Sequence, residues 1–125
     1  EVMADLTYAL KGTITGGTGA AALALGRPAA GKTGTSQSNA SAWFSAYTPQ
    51  LAASVALFRD SASESLNGIG GLTSVTGGTF PARIWTAFMK GALKGEPVMD
   101  FPAPSNIGGL DPVVITSGGK QTRKP

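Results

Sequence analysis
The 125-residue sequence contains no cysteine and no histidine. Those two absences remove thiolate nucleophiles, Ser-His-Asp and Cys-His arrangements, and the common zinc sites. Acids are few as well. Glu1, Asp5, Asp60, Glu64, Glu96, Asp100 and Asp111 are scattered, and no two form the close pair expected of a carboxylate dyad or a hard-metal cage. No apolar run is long enough to span a membrane, and no leader pattern opens the chain. Basic charge is missing where a nucleic-acid surface would need it. Residues 1–119 carry seven basic and seven acidic side chains, so the net charge of +3 comes from Lys120, Arg123 and Lys124 alone. Any catalysis has to rest on Ser, Thr, Lys and backbone N–H groups, with no metal and no cofactor.

What is present suits one globular domain: 42% hydrophobic residues, only 14% charged, and a length able to bury a core. Val2, Met3, Leu6, Ala9, Leu10 and Ile14 recur at helical spacing, which predicts an amphipathic helix stopped by Thr15-Gly16-Gly17-Thr18-Gly19. Glu1 falls inside that helical pattern, so the sequence reads as a piece of a longer protein. Large and small residues alternate from Ala42 to Thr48, and Leu51 to Phe58 is an apolar run of strand length. Around Thr48-Pro49-Gln50 these predict an antiparallel hairpin. Residues 59–78 read as loop without fixed structure. A second helix follows, with Thr79 as N-cap, Pro81 in its first turn and a stripe of Ile84, Trp85, Phe88, Met89, Ala92 and Leu93. The two helices are expected to pack together on one face of a sheet. Residues 105–125 read as a flexible basic tail.

Between the first helix and the hairpin lies Gly31-Lys32-Thr33-Gly34-Thr35. On an extended strand Thr33 and Thr35 face one side and Lys32 the other, or across the strand end into a cleft. Glycine at 31 and 34 lets a ligand backbone approach. Two hydroxyls and an ammonium along such an edge suit an anionic ligand. A Gly/Thr-rich turn with a solvated lysine is the plainer reading of the tripeptide alone.

The surrounding sequence decides between them. Residues 16–60, GGTGAAALALGRPAAGKTGTSQSNASAWFSAYTPQLAASVALFRD, closely resemble a segment of class A, bifunctional penicillin-binding proteins, and residues 77–93, GGTFPARIWTAFMKGAL, resemble the helix closing their transpeptidase domain. The resemblance covers about residues 1–104 and implies an α+β fold, an antiparallel sheet flanked by helices, shared with serine β-lactamases. It implies acyl transfer from D-Ala-D-Ala stem peptides of peptidoglycan through an acyl-serine, with β-lactams as inhibitors, at the outer face of the bacterial membrane. By resemblance, Lys32, Thr33, Gly34, Thr35 and Gln37 bind substrate. Lys32 also tunes the proton relay, and the Thr35 N–H forms half of the oxyanion hole.

One departure stands out. The family's Ser-x-x-Lys does not occur, nor does Ser-x-Asn before Lys32; Ser65-Leu66-Asn67 has the letters but lies downstream. The chain by itself is therefore expected to be inactive and to need the upstream part of the domain, in the same chain or a second one, along with any membrane anchor. Two other readings remain open here: a fragment of a serine β-lactamase-like hydrolase, and a non-catalytic module that binds a peptide or glycan.

Overall fold
Alternation of side chains builds the sheet. In a computed structural model, which describes residues 1–105, the strands are β1 (Ala30–Thr35), β2 (Ser41–Tyr47) and β3 (Ala52–Phe58). They pair antiparallel in the order β1-β2-β3, with Lys32 opposite Ser45 and Ser45 opposite Ser54. The expected hairpin is present, with each strand end within a residue of its predicted place. Thr48 turns it: its N–H donates to Leu51 O (2.9 Å), and its Oγ1 accepts from the Leu51 N–H (3.2 Å).

One sheet face carries Ala42, Phe44 and Ala46, all buried, and receives α2 (Phe80–Ala92). Trp85 stands edge-on to Phe44, ring centroids 5.4 Å apart, and its indole N–H is shared between Ala46 O (3.2 Å) and Ala53 O (3.1 Å). Met89 and Leu93 continue this buried stripe, whereas Ile84 and Phe88 of the predicted stripe are about half exposed. Thr79 occupies the N-cap position without capping; its hydroxyl bonds back to Thr76.

The two helices do not lie together on one face as expected. α1 (Val2–Thr15) flanks β1: Ile14 enters the core with Phe44, while Thr7 Oγ1 meets Tyr47 Oη at 2.8 Å on the opposite face. The link between α1 and α2 is a 3₁₀ turn over Ala20–Leu25, whose Ala22 and Leu25 fill the gap. Val2, Met3 and Leu6, predicted to be inward, are exposed. Periodicity identifies an apolar stripe but not what covers it. Among the described residues, no helix is long and apolar enough to cross a membrane.

Residues 59–78, expected to lack fixed structure, are a defined loop. Leu66 and Val75 are buried against Ala42. Asn67 Oδ1 accepts from the Val75 N–H (3.1 Å) and Asn39 Nδ2 donates to Val75 O (2.8 Å). Asn67, the last letter of Ser65-Leu66-Asn67, thus has a structural task.

After α2 the chain returns across α1: Phe101 packs edge-on to Tyr47 at 5.5 Å, and Lys11 lies 3.6 Å from Asp100. The turn into this strap is held by Arg27, which donates to Pro97 O (2.9 Å), Leu93 O (2.8 Å) and Glu96 O (2.8 Å). The planar guanidinium holds three carbonyls at once, Leu93 O at the C-cap of α2 and two in the turn that follows. Arg27→Ala is expected to lower unfolding free energy by roughly 1–3 kcal/mol, with Arg27→Lys recovering part of it. Urea titrations with an unchanged midpoint for both variants would contradict this. The tail assigned to 105–125 lies outside the described residues, Ser105 apart.

Candidate functional site
Antiparallel pairing alternates which residues spend their backbone groups on the neighbour. One pair beyond β1, the Ser36 N–H donates to Ser41 O (3.0 Å); at the hairpin, Thr48 bonds Leu51. Both bonds fix the same phase: Ala30, Lys32 and Gly34 bond to β2, and Gly31, Thr33 and Thr35 point their N–H and C=O away from it. Among the described residues β1 is an edge strand, so these groups face outward. At the Gly31 end the edge is covered, Gly31 being buried beside α1; from Lys32 to Thr35 it is accessible.

Side chains follow the predicted division. Thr33 and Thr35 share the face of Phe44 and Ala42, and Lys32 shares the face of Ser45. Lys32 is exposed, and its Nζ curls to within 3.3 Å of Thr33 O, back to the open edge. On the Lys32 face an open concavity of about 450 Å³ lies between α1 and the sheet, bordered by Leu10, Lys32, Ser45, Tyr47 and Ser54. Gln37 stands exposed in the turn after β1.

The two glycines have different reasons. A Cβ at Gly34 would meet only Trp43 Cβ, at 3.4 Å, so this stretch stays open. A Cβ at Gly31 would fall 2.3 Å from Ala46 Cβ and 2.6 Å from Ser45 O. Gly31 is therefore demanded by packing inside the sheet, with no ligand needed to explain it.

Two partners of the strand were not read from the sequence. Thr18 Oγ1 lies 2.6 Å from Thr33 Oγ1, and the Gly77 N–H donates to Thr35 Oγ1 at 3.2 Å. Thr18 looked like part of a helix stop and Gly77 like a helix lead-in. The clue available was that both sit in Gly-Gly-Thr clusters, where close backbone approach is possible.

The antiparallel sheet flanked by helices, together with relatives that match most of the sequence, defines the class: the chain belongs to the penicillin-binding proteins, as part of a transpeptidase domain. No protein-family model matches the sequence. Relatives named penicillin-binding protein 1A match most of this chain. That of Mycolicibacterium smegmatis is 41% identical over 92 residues, 70% of this chain and 12% of the relative. That of Mycobacterium tuberculosis is 37% identical over 114 residues, 87% of this chain and 14% of the relative. The solved penicillin-binding protein PonA1 of M. tuberculosis superimposes with a TM-score of 0.77 at 37% identity, covering 87% of this chain and 30% of that one; it has also been solved with penicillin V. Penicillin-binding protein 1A of Haemophilus influenzae gives a TM-score of 0.60 at 25% identity, covering 81% of this chain and 16% of that one. The chain thus spans only a small part of each relative.

Proposed function
We propose that residues 30–37 form the carboxylate-binding wall and half of the oxyanion hole of a peptidoglycan D,D-transpeptidase, whose nucleophilic serine comes from the remainder of the domain. The observation that carries this reading is the phase of β1, which directs the Thr35 N–H at the open edge. A substrate strand lying there meets that N–H, the Thr33 and Thr35 hydroxyls and the Lys32 ammonium. The serine oxygen attacks the D-Ala-D-Ala carbonyl, and the developing oxyanion is received by the Thr35 N–H together with the N–H of the serine. The terminal alanine leaves, and the acyl group passes to an amine of a second stem peptide. A β-lactam enters by the same route and stays as an acyl-enzyme. The penicillin V complex of PonA1 supports the ligand class. Stem peptides place the reaction outside the cytoplasmic membrane.

The isolated chain is expected to form no covalent adduct with a fluorescent penicillin. With the remainder of the domain supplied, label is expected on a serine outside residues 1–125. Thr35→Val then slows acylation about tenfold, and Thr35→Ser less, since the backbone N–H survives both changes. Label mapped to one of this chain's own serines would overturn the reading.

A further inference from the structure
Beyond the residues of the Lys-Thr-Gly-Thr strand, the hydrogen bonds behind it bear on how it presents its hydroxyls. A threonine hydroxyl has one hydrogen to give and two lone pairs to fill. To hold a carboxylate, Thr33 and Thr35 both give that hydrogen outward, and an internal donor to each oxygen fixes the hydroxyl in that orientation. Thr35 has an unambiguous one: the Gly77 N–H can only donate, and it does so at 3.2 Å. The partner of Thr33 is another hydroxyl, Thr18 Oγ1 at 2.6 Å, and in that pair either oxygen can donate.

We propose that Thr18 is a positioning residue of this site: it donates to Thr33 Oγ1 and turns the Thr33 hydrogen towards the carboxylate of a ligand lying along β1. The inference rests on the reading of β1 given above. A carboxylate accepts only, so once Thr33 donates to it, the Thr18–Thr33 bond can run in one direction. Thr18 is held for the task. The Gly19 N–H bonds Thr13 O at 2.9 Å on one side. On the other, Gly78 packs so closely that a Cβ there would stand 2.1 Å from Thr18 O. The loop that supplies the Thr35 donor therefore also buttresses the Thr33 donor, and the two hydroxyls are set by one piece of backbone, Gly77-Gly78.

The test uses the full-length protein that carries this segment, with second-order acylation rates by a penicillin bearing a free carboxylate. Thr18→Ala is expected to slow acylation about fivefold to tenfold, the size of one lost orienting hydrogen bond, and Thr18→Ser to restore it to within about twofold. In a Thr33→Val background, Thr18→Ala is expected to change nothing further. With the carboxylate of the penicillin esterified, the Thr18→Ala effect is expected to vanish. Thr18→Ala acylating at the parental rate while Thr33→Val is slow would overturn the role of Thr18 alone. So would an equal loss with and without Thr33, because Thr18 would then act through general stability. If neither Thr33→Val nor Thr35→Val slows labelling, the reading of β1 fails and takes this inference with it.

Discussion

In the full-length protein that carries this segment, replacing Gly77 with alanine is expected to destabilise the domain by roughly 2–3 kcal/mol and, on the proposed reading of β1, to slow penicillin acylation more than tenfold. An alanine Cβ at this position would lie 2.1 Å from Trp43 O, 2.8 Å from Gly34 O and 3.0 Å from Gly34 N. All three neighbours are backbone of paired strands, so none can swing aside as a side chain could. The loop must lift instead. Lifting it withdraws the Gly77 N–H from Thr35 Oγ1 and loosens Gly78 against Thr18. Stability and acylation should thus fall together. Gly91→Ala is the control: nothing lies within 4 Å of its Cβ, and alanine favours the helix there. Urea titration and penicillin acylation of both variants would decide it; a Gly77→Ala protein matching Gly91→Ala in both would refute the close approach.

Trp85→Ala is expected to have the largest effect on stability, about 3–5 kcal/mol, a large share of what a domain has. Trp85 is fully buried, touches Phe44 edge-on and lends its N–H to both carbonyls of the Ala46–Ala53 pair. Truncation leaves a cavity between helix and sheet and removes a donor from two buried acceptors. Trp85→Phe keeps most of the volume and loses only the donor, so it should cost less, about 1–2 kcal/mol. Equal urea midpoints for the two variants would mean that the ring volume contributes little, contrary to this packing.

How much of this was legible in the sequence depended on whether a feature was local. The strands of the hairpin and the sidedness of Thr33 and Thr35 follow from a two-residue period, and a pleated strand leaves no freedom to disobey it. The end of α1 follows from Gly16-Gly17, and the start of α2 from Pro81 in its first turn. Non-local features stayed hidden. Arg27 gives no hint that its partners lie near residue 96, and Thr18 none that it reaches Thr33. Residues 59–78 look featureless because Asn39 and Asn67 organise them through backbone groups, which carry no side-chain signature. The outward orientation of Val2, Met3, Leu6, Ile84 and Phe88 was unreadable for another reason: amphipathic spacing reports that a surface wants cover, not whether it has it.

β3 carries a consequence of its own. It pairs only with β2 among the described residues, and the phase that frees Thr33 and Thr35 on β1 leaves Ala52, Ser54, Ala56 and Phe58 with outward N–H and C=O groups. The strand reads Ala-Ala-Ser-Val-Ala-Leu-Phe, with no charge, no proline and no glycine to interrupt it. Natural sheets usually guard such an edge with lysine, proline or a bulge. An unguarded edge of this length is a template for growth of a ladder from one molecule to the next. The yield of native material from this segment is therefore a race between covering β3 and stacking it, governed by concentration and the order of encounters more than by the depth of the native minimum.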